Sequence, residues 1–407
     1  MTTTETAQGA SAQGTARRGN PWRPSLRGVA LVTHIELLRR RPSTKGYFAY
    51  GTMLAVIIGL GILVSVMSPD GKDSTPLELV LMLVLGAGLL IGPSLSATSI
   101  NGDSGEGVLA PLQMTRLTAG DIAFGKLLAS WFVSFAMLVT TTPFLLYAFS
   151  RSGWHWGELL IVLAVILFVV LASSAVGLAW SAIAARSVAS VSLAHLTTGF
   201  LVLGSLVLFA FSGALVSDKV EQKNRYIDWE QLSAEQQETL NGAYMSGDFS
   251  EVDVDSLVCA EETYTHGVAH TEKTAWLLLV NPAVMIGEFS PIVNPTTFTE
   301  DGRAAPGIFA QVHQSVSGAR IGPSAQDLKS SSYDDCANIA AMAAGNEPDY
   351  GDNGQDWEAL QLQRATYNRA PWIGLGVQAV LLLGSMTIVV RRLRVPYKKL
   401  RAGTRVA

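Results

Sequence analysis

Charge is scarce in this chain. Of its 407 residues, 15% are Asp, Glu, Lys or Arg, and 49% are apolar. An ordinary soluble domain is about a quarter charged, so the composition points away from a soluble protein and toward a membrane one. The scarcity is uneven, because the segment Ser217 to Pro371 reads like a soluble domain. Cysteine is almost absent, with Cys259 and Cys336 the only two. The first twenty residues lack an apolar core, which argues against a secretion signal. Arg17-Arg18 is followed by Gly-Asn-Pro-Trp rather than an apolar run, which argues against a twin-arginine signal. Residues 1–24 are expected to be a disordered cytoplasmic tail. No nucleophile motif is present, and no pair of ionisable residues stands at catalytic spacing within the apolar runs.

What is abundant is long apolar sequence. A membrane-spanning helix needs about 20 mostly apolar residues. Six stretches meet that length: Tyr47–Met67, Leu77–Ile100, Leu127–Phe149, Trp156–Ala184, Val188–Val216 and Trp372–Val390. Their flanks set an orientation. Arg17, Arg18, Arg23, Arg27, Arg39, Arg40, Arg41 and Lys45 precede the first span. Arg391, Arg392, Arg394, Lys398, Lys399, Arg401 and Arg405 follow the last. Lys and Arg near span ends stay in the cytoplasm, so both termini are expected inside, which requires an even number of spans. Residues 391–407 then form a basic cytoplasmic tail, and 217–371 an extracytoplasmic domain. That domain holds 24 Asp and Glu against 9 Lys and Arg, a net of −15. The expected fold is therefore an all-α polytopic membrane protein of the cell membrane, N-in and C-in, with a large outer domain between spans five and six. Because the basic residues are juxtamembrane, nucleic-acid binding has no support.

Two segments belong to neither span nor outer domain. In 25–45, Leu26, Val29, Ala30, Thr33 and Leu37 follow helical spacing, and Arg39, Arg40 and Arg41 crowd behind them. This is expected to be an amphipathic helix on the inner leaflet, where anionic lipid would attract the arginines; a plain basic flank is the alternative. The loop 101–125 opens with Gly and polar residues, so the second span is expected to break at Asn101. Thr118 reads as the N-cap of a helix starting at Ala119 or Gly120, with Asp121 in its first turn. Gly120-x4-Gly125-Lys126 imitates a phosphate-binding loop. Leu127 stands where the magnesium-binding Ser or Thr would be, and no strand precedes it.

These residues, taken in order, resemble the ABC type-2 permeases, the membrane half of ATP-binding-cassette exporters. The likeness rests on Glu36 with its arginine cluster, on Glu106-Gly107-x-Leu109-x-x-Leu112-x-x-Thr115, on Gly125-Lys126 opening the third span, and on Asn281-Pro282 before the last span. It implies half of a transport pathway, completed by a second permease copy or a paralogue. It also implies a separate cytoplasmic ATPase that holds the ATP and magnesium, with no cofactor bound by this chain. Glu106, Gly107, Leu109, Leu112, Thr115 and Arg116 would couple to that ATPase. Glu36, Arg39, Arg40 and Arg41 would belong to the connecting helix. The long insertion 217–371 departs from relatives with a short hairpin there. A receptor or sensor with a ligand-binding outer domain is the alternative function.

Other features carry weaker expectations. Cys259 and Cys336 both fall on the oxidising side, where a disulfide would contribute roughly 4–5 kcal/mol in the entropy model; two free thiols are the alternative. Trp276–Phe289 is too short to span, and is either a re-entrant element turning at Asn281-Pro282 or a core helix of the outer domain. His266 and His270 would share a helix face near Glu261, Glu262 and Glu272, but Gly267 weakens such a helix, and no metal is expected. Within the spans, His195, Thr197 and Thr198 are candidates for the substrate pathway. Ser173, Ser174, Gly177 and Gly88-x-x-x-Gly92 read as packing positions.

Overall fold

A computed structural model of the chain describes residues 20–40, 44–67, 73–291, 307–323, 332–348 and 357–394. The helices are α1 (Leu26–Arg39), α2 (Thr44–Met67), α3 (Thr75–Ala97), α4 (Ser99–Gly105), α5 (Leu109–Met114), α6 (Ala119–Ser152) and α7 (Trp156–Ile183). Next come α8 (Ser187–Gly199), a π-helical turn at Phe200–Gly204 and α9 (Ser205–Leu215). The remainder are α10 (Ala234–Ser246), α11 (Trp276–Leu279), α12 (Pro282–Phe289), α13 (Ile308–Ile321), α14 (Asp335–Ala343), α15 (Trp357–Thr366) and α16 (Pro371–Leu393).

Among the described residues, six helices are long and apolar enough to cross a bilayer, and each overlaps one of the six expected spans. The protein is thus a polytopic helical membrane bundle. Among these helices, α7 has the most buried apolar window, at 61%, and α2 the least, at 11%. The helix in the middle is therefore α7. α2, and the crossing made of α8, the π turn and α9, turn most of their Leu, Val and Phe side chains outward, as lipid-facing helices do. α3 packs on α7 at small residues. A Cβ on Gly177 would lie 2.7 Å from the Pro93 carbonyl oxygen, and one on Gly88 would lie 2.5 Å from a Val170 methyl. Ser173, Ser174 and Gly177 are buried in this contact, in keeping with a packing role.

One helix boundary differs from expectation and another agrees with it. The second crossing breaks at Thr98 rather than Asn101, and helix resumes as α4 to Gly105. The third helix begins at Ala119, because Thr118 and Asp121 form a reciprocal capping box. The Thr118 amide donates to Asp121 Oδ2 at 2.8 Å, and the Asp121 amide to Thr118 Oγ1 at 3.1 Å.

The 217–371 segment is not purely helical and does not behave as one piece. β1 (Ser217–Ile227), β2 (Cys259–Ala269) and β3 (Ser332–Asp334) form a sheet in the order β2-β1-β3. β1 and β2 are antiparallel, in unbroken register from Ser217 opposite Ala269 to Ile227 opposite Cys259. A small separate core of Ile227, Leu232, Leu240, Phe249 and Ile339 forms at one end of the hairpin. The Cys259–Cys336 disulfide closes it, with Cα atoms 6.5 Å apart. In contrast, Met285, Ile286 and Phe309 of α12 and α13 join the main core of the membrane bundle with residues of α2, α3, α6 and α7.

Candidate functional site

The polar chemistry of the bundle concentrates where α1, α4 and α6 meet. α1 lies along the first half of α6 because small residues let the two backbones approach. A Cβ on Gly125 would fall 2.5 Å from Val32 Cβ, and one on Gly28 would fall 2.6 Å from Asp121 Cγ. Thr33 Oγ1 donates to the Gly125 carbonyl at 3.2 Å. Asp121, buried, accepts from the Ser25 amide at 2.6 Å and the Ser25 hydroxyl at 3.1 Å, which fixes the start of α1 to the start of α6.

This register brings Glu36 to Lys126. Lys126 is fully buried, and its ammonium donates to Glu36, to Asp103 Oδ2 at 2.5 Å and to the Ser99 carbonyl at 3.2 Å. Three donors thus meet three acceptors, which a buried ammonium requires. The network continues outward. Arg39 Nη1 donates to Asp103 Oδ1 at 2.9 Å, and its Nη2 to Glu106 Oε2 at 2.9 Å. Arg40 Nε donates to Glu36 Oε2 at 3.3 Å, and its Nη1 to Ser130 Oγ at 3.0 Å. The carboxylates Glu36, Asp103 and Glu106 therefore balance the cations Lys126, Arg39 and Arg40. The hydrogen bond that Arg39 donates to Asp103 is the largest influence raising the Arg39 pKa, whereas burial lowers that of Arg40 against the pull of Glu36. Such a cluster contributes little net stability as a whole, but removing one member leaves an uncompensated buried charge. It can hold three elements in fixed register.

α5 hangs from this junction. Gly107, at φ +73°, supplies the left-handed turn that separates it from α4. Leu109 is buried against residues of α6, α7 and α16, including Leu178, Val389 and Leu393, and Leu112 packs against the same cluster. Gln113 Nε2 donates to the Leu393 carbonyl at 3.2 Å. Leu109 therefore faces inward, whereas Leu112 is half-buried. The exposed positions are Glu106, Gly107, Val108, Pro111, Met114, Thr115 and Arg116. Of these, Val108, Pro111 and Met114 were not singled out by the sequence motif, nor was Asp103. Arg41 lies outside the described residues.

The three span candidates sit elsewhere. His195 Nε2 is 2.8 Å from Ser94 Oγ, across α3 and α8. Thr197 Oγ1 accepts from Trp180 Nε1 at 3.0 Å, and Thr198 donates back to the Ala194 carbonyl at 3.1 Å. All three are satisfied within the chain and are not brought to the ionic junction.

A second polar constellation ties α11 to α13 into the bundle. Asn281 caps α12 and donates to the Val202 carbonyl at 2.7 Å and to Ser205 Oγ at 3.1 Å, inside and beside the π turn. Buried Glu288 pairs with His313 at 2.8 Å and accepts the Ala370 amide at 2.8 Å. Buried Glu78 accepts the Phe309 amide at 2.7 Å, in the first turn of α13. The helix-face reading of His266 and His270 is overturned, because His266 lies in β2 and His270 directly follows it. His270 is held between Asp218 at 2.8 Å and Glu272 at 2.9 Å. Among the described residues no group of three or more His, Cys, Asp or Glu side chains is placed to hold a metal ion. No family model, no curated protein and no solved structure matches the chain, so its functional reading rests on these residues alone.

Proposed function

We propose that this chain is the permease subunit of an ATP-binding-cassette exporter of the type-2 kind. It would form half of the translocation pathway, with both termini in the cytoplasm and 217–371 outside. A separate cytoplasmic ATPase holds ATP and magnesium, and a second permease copy or paralogue completes the pathway. The observation that carries the reading is the ionic junction. One charge-balanced cluster joins the surface helix α1, the end of the second crossing and the third crossing, with a short helix suspended beside it.

The junction suits force transmission. An ATPase gripping the exposed Val108, Pro111, Met114 and Arg116 would push α5. Leu109 and Gln113 would pass the displacement to the ends of α7 and α16. Asp103 and Lys126 would pass it to α6, with α1 following through Glu36 and Arg39. This chain contributes geometry and no bond chemistry. The ion pairs keep the three elements moving together, whereas apolar contacts alone would let them slide.

The test is co-purification from the native membrane. A tagged copy is expected to retain an ATPase, and Met114→Glu with Arg116→Glu to release it while leaving the bundle folded. A Ser104→Cys variant is expected to resist an impermeant thiol reagent in intact cells. Absence of any ATPase together with labelling of Ser104→Cys from outside would overturn the proposal.

A further inference from the structure

β2 is an edge strand with little to defend its open side. The sheet order places it outermost, and only β1 pairs with it among the described residues. Edge strands are normally blunted by Lys, Pro or a bulge. The run Cys259–Ala269 has none of these, since it contains neither Lys nor Pro and its register with β1 is unbroken over all eleven residues. Support from the rest of the sheet is slight, because β3 pairs with β1 only at Lys223, Asn224 and Arg225. Glu261 to Gly267 are exposed. An isolated two-stranded hairpin is marginal in water, and a third full strand adds stability.

The hydrogen-bond pattern says which backbone groups are on offer. The Asp228 amide donates to the Val258 carbonyl at 2.9 Å, and the His270 amide to the Val216 carbonyl at 2.8 Å. Bonded and non-bonded pairs alternate along an antiparallel ladder. The even-numbered residues of β2 therefore bond to β1. Glu261, Thr263, Thr265 and Gly267 direct their N–H and C=O groups away from it. The side chains beside this edge are Glu261, Thr263 and Thr265 on one face, and Glu262, Tyr264 and His266 on the other. Two adjacent carboxylates precede a Thr-Tyr-Thr run of strand-favouring residues, on a segment of net charge −15. Another copy of the same edge would meet like charge.

We infer that the open edge of β2 docks an extended, basic polypeptide segment as an added strand, with Lys or Arg opposite Glu261 and Glu262 and β-branched residues opposite Thr263 and Thr265. Main-chain bonds supply the affinity and the glutamates the selectivity, as in strand addition generally. This inference does not depend on the transport reading.

The experiment is amide hydrogen exchange on the full chain in nanodiscs, with a nine-residue peptide in which two adjacent lysines adjoin a Val-Thr-Val run as the probe. Bound peptide is expected to slow exchange at Glu261, Thr263 and Thr265 by about tenfold or more. Thr263→Pro removes an outward donor without removing a β1 bond, and is expected to abolish that protection while the Cys259–Cys336 bridge still forms. Glu261→Lys with Glu262→Lys is expected to weaken binding about tenfold and to remove its salt dependence. Peptide binding that leaves the β2 amides unprotected, or that survives Thr263→Pro, is surface ion pairing and overturns the inference. So does absence of binding, or concentration-dependent protection without peptide, which would mean self-pairing.

Discussion

The Lys126 ammonium lies between the carboxylates of Glu36 and Asp103, which reach it from separate helices. One buried cation thus decides whether two carboxylates can stay buried together. Lys126→Met is expected to destabilise the purified protein by about 3–5 kcal/mol, read as a fall in thermal midpoint in detergent. Adding Asp103→Asn to Lys126→Met removes one stranded charge and is expected to recover part of the loss. If Lys126→Met alone unfolds at the wild-type temperature, the junction does not hold these helices.

Gly125 sets the distance between α1 and α6. A side chain there meets Val32 and approaches the Val29 carbonyl, so Gly125→Val is expected to lift α1 away. Amide hydrogen exchange along α1 is expected to rise several-fold in Gly125→Val, measured against the wild-type chain.

Asn281 is a single side chain serving two helices. Asn281→Ala leaves the Val202 carbonyl without that donor and α12 without its cap. The expected cost is about 1–3 kcal/mol. Local hydrogen exchange is expected to rise around the π turn, with little change at the ionic junction.

His270 ties the base of the hairpin to the chain leading into α11. Its pKa is raised, first by the hydrogen bond to Asp218 and next by that to Glu272. A folded-state pKa above the unfolded value means that this contribution to stability is complete below about pH 6.5, the unperturbed histidine value. It is lost as pH rises through the folded pKa. His270→Gln is expected to flatten that part of the stability profile, measured by chemical denaturation across the same pH range.

The Cys259–Cys336 bridge closes the small core beside the sheet. Cys259→Ser with Cys336→Ser is expected to cost this unit about 2–5 kcal/mol and to expose it to limited proteolysis. The six crossing helices, whose core is separate, are expected to keep their thermal stability.

The crossing helices were legible because length and apolarity are local properties, and so was the Thr118 cap, which needs only residues within one turn. Glu36 and Lys126 were visible as parts of a motif, but their contact was not, since ninety residues separate them. Asp103 escaped notice in a loop-like polar run that folds as helix. The six residues of α5 are too few for periodicity to say which side faces in, so buried Leu109 and exposed Met114 looked alike. Glu78, Glu288 and His313 are each isolated in sequence and acquire meaning only when α12 and α13 enter the bundle. His266 and His270 illustrate a spacing that is informative on a helix and misleading on a strand. The neighbouring Thr-Tyr-Thr was the signal for extended structure.

The disulfide also has a topological consequence. It joins residues 77 positions apart, and the chain between them contains α11, α12 and α13, two of which contribute to the membrane core. That stretch is therefore a covalent ring rooted in the bundle. A single cut within it opens the ring, and the two pieces stay covalently joined through the bridge, while β1 and β2 remain attached to α9 in either case.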